Sequence, residues 1–280
     1  MDHTESRQPM TVRRMAFEFT PDMERVFVKD DPDMSFTFLG AWIMLPYLEP
    51  YLIRTMRDAL PHVKDPQLVD DLKRFCAQEG EHFRQHARAN DIIRSLNPAY
   101  EALRPLEAEL DAELKRFTRE KPLKFNLAYA EGFESMTSAS SRAQFECGLY
   151  DRTDSPLAHL AKWHVMEELE HRTVAFDIYE HVVGDWFYRV RTGFWAQKHY
   201  VGWVNRFKKV MVDAEGELIA RYQTPEIVAA RKAYNKHYWG RALPRILGTY
   251  MPWYNPAKVD LPPEYETARL HYSDVASALA

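Results

Sequence analysis

Gln78-Glu79-Gly80-Glu81-His82-Phe83-Arg84-Gln85-His86 and Trp163-His164-Val165-Met166-Glu167-Glu168-Leu169-Glu170-His171 are the two stretches that decide the fold of this chain. Each holds a Glu-x-x-His unit, Glu79 with His82 and Glu168 with His171, inside a pattern that reads as long helix. Residues three and four apart share one face of a helix. Glu79, His82 and His86 therefore form one narrow stripe, and His164, Glu168 and His171 form another. A further glutamate stands about one helix and one turn before each unit: Glu49 before Glu79, and Glu134 before Glu168. A lone Glu-x-x-His is usually a solvated helix face. The doubled pattern is far more specific.

Glu-x-x-His on two helices, joined by one Glu from each of two others, is the ligand set of ferritin-like dimetal carboxylate bundles. The expectation is therefore an all-α chain: a ferritin-like four-helix bundle with a helical crossover and additional C-terminal helices. Imidazole with carboxylate suits iron, manganese or zinc, whereas an all-oxygen set suits magnesium or calcium. Glu49, Glu79, Glu134 and Glu168 supply four negative charges, which two divalent ions balance inside a low-dielectric core. Without metal, four inward carboxylates repel each other and take up protons. The expected cofactor is a pair of iron ions, with manganese or mixed manganese–iron as substitutes, and zinc if the chemistry is hydrolytic.

Several neighbours have open roles. Glu131 lies one turn before Glu134 and is an alternative or additional ligand. Gln78 and Glu167 each precede a ligand Glu, a position from which to orient a His on the opposite helix, as metal-bound imidazoles require. His164 lies one turn before Glu168, where it is either a third nitrogen ligand or a core histidine bonded to a backbone carbonyl or to Glu167. His86, one turn after His82, fits the surroundings of the site or the core better than a ligand. Glu81 and Glu170 are offset from the stripes and read as solvated or supporting groups, and Cys76 as core.

Composition narrows the function classes. The chain has 280 residues, 46% hydrophobic and 28% charged, enough for one large core. Its formal charge of −4 gives no basic signature for nucleic acid. Two cysteines, Cys76 and Cys147, form no disulfide framework. The first twenty residues are charged without an apolar core, and apolar runs are broken, so the expected compartment is the cytoplasm. No phosphate-cradling glycine loop or Gly-x-Ser-x-Gly elbow occurs. His82 and His86 have zincin spacing, but Phe83 stands in place of the general-base Glu.

In chain order, residues 1–34 read as an N-terminal arm, 35–184 as the dimetal bundle, and 185–280 as C-terminal helices with an irregular tail packed on it. Within the arm, residues 1–10 read as a disordered lead and 12–19 as an extended segment. Helix is expected over 35–45, with a new helix opening near Pro46, so that Glu49 lies near its start. A second helix opens at Asp65-Pro66 and runs to 96. Residues 99–120 read as crossover helix interrupted by Pro105, 123–149 as the third bundle helix, and 156–184 as the fourth. Helices over 185–213 and 225–247 follow, then a proline-rich tail after Met251-Pro252. The aromatic and basic segment 185–213 reads as a cover for the bundle, with contact to a membrane surface as the second reading.

Arg13-Arg14-Met15-Ala16-Phe17, Pro46 with Glu49 and Ile53-Arg54, Gln78-Glu79 with His82 and His86, Phe133-Glu134, and Glu167-Glu168 through Glu170-His171 to Val174-Ala175-Phe176-Asp177 carry a resemblance. Over residues 12–184, and more weakly beyond, the chain resembles the bacterial family named predicted metal-dependent hydrolase. Its ligand pattern is also similar to di-iron oxygenases, and His164-x-x-x-Glu168-x-x-His171 resembles the p-aminobenzoate N-oxygenase arrangement with its extra His. Ser135 and Gln78 depart from these patterns, where a His and an acidic residue are expected. The resemblances imply an O₂-activating di-iron oxidoreductase that hydroxylates, desaturates or N-oxygenates an apolar or aromatic substrate. A reductase or ferredoxin as electron donor and a homodimer go with that reading. A binuclear hydrolase is the alternative, and a metal-storage bundle the third.

Overall fold

A computed structural model describes residues 10–152 and 155–279. The lead expected over residues 1–10 lies outside them except for Met10. Among the described residues there is helix and no strand, so the chain is all-α.

The main helices are α1 (Pro32–Ala59), α2 (Pro66–Ser95), α3 (Leu103–Glu120), α4 (Leu123–Glu146), α5 (Pro156–Glu170), α6 (Val174–Val182), α7 (Trp186–Ala214), α8 (Gly216–Ala220), α9 (Pro225–Gly248) and α10 (Pro263–Ala278). Several begin on a side-chain cap. Asp31 accepts from Met34 N at 3.0 Å, Asp65 from Gln67 N at 2.9 Å, and Ser155 from Ala158 N at 3.1 Å. A proline follows each of these caps directly, where a missing N–H costs nothing.

Four expectations are corrected. Pro46 and Pro50 do not open a new helix; both lie inside α1, which places Glu49 well within it. Pro46 cannot donate to the Trp42 carbonyl, and Asn90 of α2 does so instead, at 2.8 Å. Pro105 does not interrupt the crossover, because it falls in the first turn of α3. The fourth helix is not continuous to residue 184. It stops at Glu170 and resumes at Val174, and the Arg172 guanidinium donates at 2.9 Å to the Leu169 carbonyl that a continuing helix would use. The tail is not wholly irregular either, since α10 begins at Pro263 and buries Tyr265, Ala268 and Tyr272.

The N-terminal arm has no regular secondary structure over residues 10–20, yet Met10, Arg13 and Met15 are buried. α1 and α2 pack side by side, and α4 packs against α5, α6 and α7. α7 is more than a cover. A Cβ on Gly132 of α4 would lie 2.3 Å from the Gly193 Cα of α7, and one on Gly40 of α1 would lie 2.7 Å from the Val204 carbonyl oxygen. Only glycine permits such close backbone approach. By composition alone Pro32–His62 is long and apolar enough to cross a membrane, a stretch that the reading of broken apolar runs passed over, but most of its apolar window is buried inside the fold.

Candidate metal centre

α1, α2, α4 and α5 point carboxylates and imidazoles at one buried volume. Glu79, Glu134, Glu168 and His171 each place a donor atom within 4.8 Å of every other, and Glu49, Glu79 and His82 do the same. His82, His164 and Glu168 form a third such group, and Glu49, His86 and His164 a fourth. Glu79 and Glu168 belong to groups at both ends, as carboxylates shared by two ions would. All of these side chains are buried.

The polar atoms at the centre lack hydrogen-bond partners. Both carboxylate oxygens of Glu49 and of Glu134, Oε1 of Glu79, Oε2 of Glu168, Nδ1 of His82 and Nε2 of His171 are buried and unpaired. These atoms lie close together without paired hydrogen-bond geometry, as atoms able to gather around an ion do. His171 Nε2 lies 3.4 Å from Glu79 and from Glu134, and 3.6 Å from Glu168; His82 Nδ1 lies 3.6 Å from Glu79. Buried polar atoms are ordinarily satisfied, so a convergent set of unsatisfied ones is a candidate site for a metal ion. A nitrogen and carboxylate donor set fits iron, manganese or zinc.

Each histidine is oriented from the opposite motif. The far nitrogen of His82, Nε2, meets Glu167 Oε2 at 3.0 Å, which leaves Nδ1 to face the cluster. His171 Nδ1 meets Gln78 Oε1 at 3.1 Å, which leaves Nε2 to face it. The exchange is reciprocal: the residue before Glu79 holds His171, and the residue before Glu168 holds His82. Such contacts fix tautomer and ring direction. Gln78 accepts from His171 through its amide oxygen, so a Gln serves where an acidic residue was expected.

Arg13 closes this outer layer, a role the sequence reading did not assign. Its guanidinium donates at 2.9 Å to Glu167 and at 2.8 and 3.0 Å to Glu170. Gln78 Nε2 donates to the same Glu170 at 2.6 Å, and Ser273 of α10 accepts from Arg13 Nε at 3.0 Å. Glu170 is therefore a buried structural acid. No local spacing signals the Arg13 contacts, which join residues more than 150 positions apart. Of the two readings open for Glu170, solvated or supporting, the structure shows the supporting one.

His164 stacks on His82 with ring centroids 4.2 Å apart. Its Nε2 lies 2.9 Å from Glu168 Oε1 and its Nδ1 2.6 Å from His86 Nε2, while Nδ1 of His86 is buried and unpaired. Both histidines thus border the Glu49 and His82 end of the centre. Glu131 stays outside the cluster. It accepts from Arg189 and Ser135, each at 2.8 Å, and forms a separate buried ion pair. Trp163 meets His82 edge-on at 4.9 Å and Phe75 meets His171 edge-on at 4.8 Å, so aromatic walls back the histidines.

Electrostatics follow from this crowding. Burial, then the neighbouring carboxylates, push Glu49 and Glu134 well above the usual carboxylate range. Burial opposes charge on His82 and His171, but Glu79 with Glu167 at the first, and Glu168 with Glu134 and Glu79 at the second, together outweigh it and raise both. Burial likewise disfavours the Glu168 carboxylate, yet His171 and His164 hold it ionised. His86 and His164 are lowered, by burial and then by the neighbouring imidazoles. Four buried carboxylates this close repel one another, a cost that divalent ions would neutralise.

No curated protein and no solved structure matches the chain. The profile of the family described as "Predicted metal-dependent hydrolase" matches residues 11–260, so the chain belongs to that family.

Proposed function

We propose that the protein is a non-haem di-iron oxidoreductase that uses O₂ to oxygenate, hydroxylate or desaturate an apolar or aromatic organic substrate, drawing electrons from an external reductase or ferredoxin. The observation that carries this reading is the convergence of unpaired carboxylate and imidazole atoms from α1, α2, α4 and α5 in a volume walled by Trp163 and Phe75. We read those four helices as a ferritin-like bundle, because each motif helix contributes Glu-x-x-His and each of the other two a single Glu. In this assignment Glu49, Glu79, His82, Glu134, His164, Glu168 and His171 would hold the two ions.

A bound pair of redox-active ions would supply O₂ binding and electron transfer. The chain supplies the rest. Glu167 and Gln78 hold the two histidine rings by their far nitrogens, and Arg13 fixes Glu167 in turn. His86 meets the His164 ring at Nδ1 and holds it beside Glu168. Burial of every donor residue excludes bulk water, which protects reactive species from side reactions.

The second reading, a binuclear hydrolase, is favoured by the family description. It uses the same ligands to generate hydroxide and polarise an ester or amide. Anaerobic iron loading followed by O₂ separates the two. An O₂-dependent optical transient supports the oxidoreductase; zinc-supported ester or amide hydrolysis with no response to O₂ supports the hydrolase.

A further inference from the structure

Two helices outside the metal centre expose a second chemistry. On α7, Phe187, Arg191, Phe194, Lys198 and Val201 recur at three- and four-residue intervals and are all exposed, so one outward stripe alternates apolar and cationic side chains. On α9, Lys232, Lys236, Trp239, Leu243 and Leu247 form a second exposed stripe, cationic at its N-terminal half and apolar at its C-terminal half. The stripes converge at Tyr250, just beyond α9. Phe194 packs against its ring at 6.1 Å, and Trp186 donates to its carbonyl at 3.2 Å. Close by in the chain, Trp253 is 77% exposed.

Charge is as uneven as polarity. α7 carries six Lys and Arg and α9 five; Arg189, Arg206, Lys208, Lys209 and Arg245 are paired with acids, which leaves Arg191, Lys198, Lys232 and Lys236 as the exposed cations of the two stripes. Large exposed apolar side chains spread over two helices mark an interaction surface. Aromatic and aliphatic tips among Lys and Arg match the depth profile of a lipid interface: rings enter the headgroup boundary while cations meet anionic phosphates.

We propose that the face formed by α7, α9 and Trp253 docks on an anionic lipid bilayer. A second copy is a poorer occupant, because a two-fold contact would set these cationic rows against themselves. An acidic protein would satisfy the charges but gives no reason for tips as prominent as Trp253 and Phe187, the latter 69% exposed. A cavity of about 410 Å³ lies elsewhere, between the N-terminal arm and α10, whereas one of about 260 Å³ is lined by Ser138, Arg142, Arg245, Tyr254 and Trp253, at the edge of this face. Docking would therefore bring the bilayer next to a cavity over α4, the helix that carries Glu134, and would suit a substrate dissolved in lipid; this consequence rests on the proposed oxidoreductase, whereas docking itself does not.

The test is flotation of the full-length protein with vesicles of phosphatidylglycerol and, separately, of phosphatidylcholine. Binding is expected to the anionic vesicles alone and to weaken as salt is raised. Lys198→Glu with Lys236→Glu should reduce it by about 25-fold or more, taking roughly fivefold per cation near an anionic surface. Phe187→Ser with Trp253→Ser should reduce it by about tenfold or more, from lost apolar burial. Both pairs of changes should leave helix content and bound metal as in the parent. No flotation with anionic vesicles overturns the proposal. So does loss in the charge pair with the aromatic pair unaffected, which an acidic protein partner would produce. A dimer in solution that the aromatic pair abolishes also overturns it, by assigning the face to a second copy.

Discussion

At the scale of single residues, the centre divides into donor atoms that face one another and groups that orient them. Glu79→Ala and Glu168→Ala each remove a carboxylate common to two of the donor groups, so bound metal should fall well below the parent while the protein stays helical; metal analysis beside circular dichroism checks both. Glu167→Ala acts through His82 and should cost about 10–100-fold in metal affinity or activity without abolishing either. Unchanged affinity and activity would return Glu167 to a purely structural place. Arg13→Met differs in kind, since it leaves Glu167 and Glu170 buried without their cation. Loss of one partner from a buried pair typically costs about 3–5 kcal/mol, so thermal unfolding should shift strongly downward. The glutamates and histidines were legible because helical periodicity and residue type alone define them. Arg13 was not, because an extended arm has no periodicity and its partners lie on α5.

At the scale of elements, what the sequence conveyed well was helix existence, and what it conveyed poorly was how proline behaves under tertiary control. The start of α2 at Asp65-Pro66 follows from a local cap and was readable. Continuity of α1 through Pro46 depends on Asn90, which no reading of α1 alone would find. Asn90→Ala should leave the buried Trp42 carbonyl unsatisfied, at a cost of about 1–3 kcal/mol, measured by denaturant unfolding. The break after Glu170 likewise depends on a side-chain bond, from Arg172 to the Leu169 carbonyl. The crossing of α4 and α7 rests on Gly132 against Gly193. Gly132→Ala forces a Cβ into that contact and should destabilise by about 1–3 kcal/mol, as overpacking does. An unchanged unfolding midpoint would show that α7 is free to shift on α4.

At the scale of the whole molecule, the chain places a charged, water-excluded centre inside helices and sets a cationic, aromatic face on their outside. The all-α class and the meeting of Glu49, Glu79, His82, Glu134, Glu168 and His171 were both expected from two sequence motifs and two spacings. The packing of the arm and of α10 behind Glu170 was not, because it joins the two ends of the chain through Arg13 and Ser273. The central claim is that these buried donors hold a pair of transition-metal ions. Metal analysis of the protein purified without added metal, repeated after anaerobic incubation with ferrous iron, tests it most directly. The account predicts about two ions per chain, as the dimetal carboxylate bundles hold, and a large loss in both Glu79→Ala and Glu168→Ala. No transition metal bound under either condition, or equal metal in parent and both variants, would contradict it.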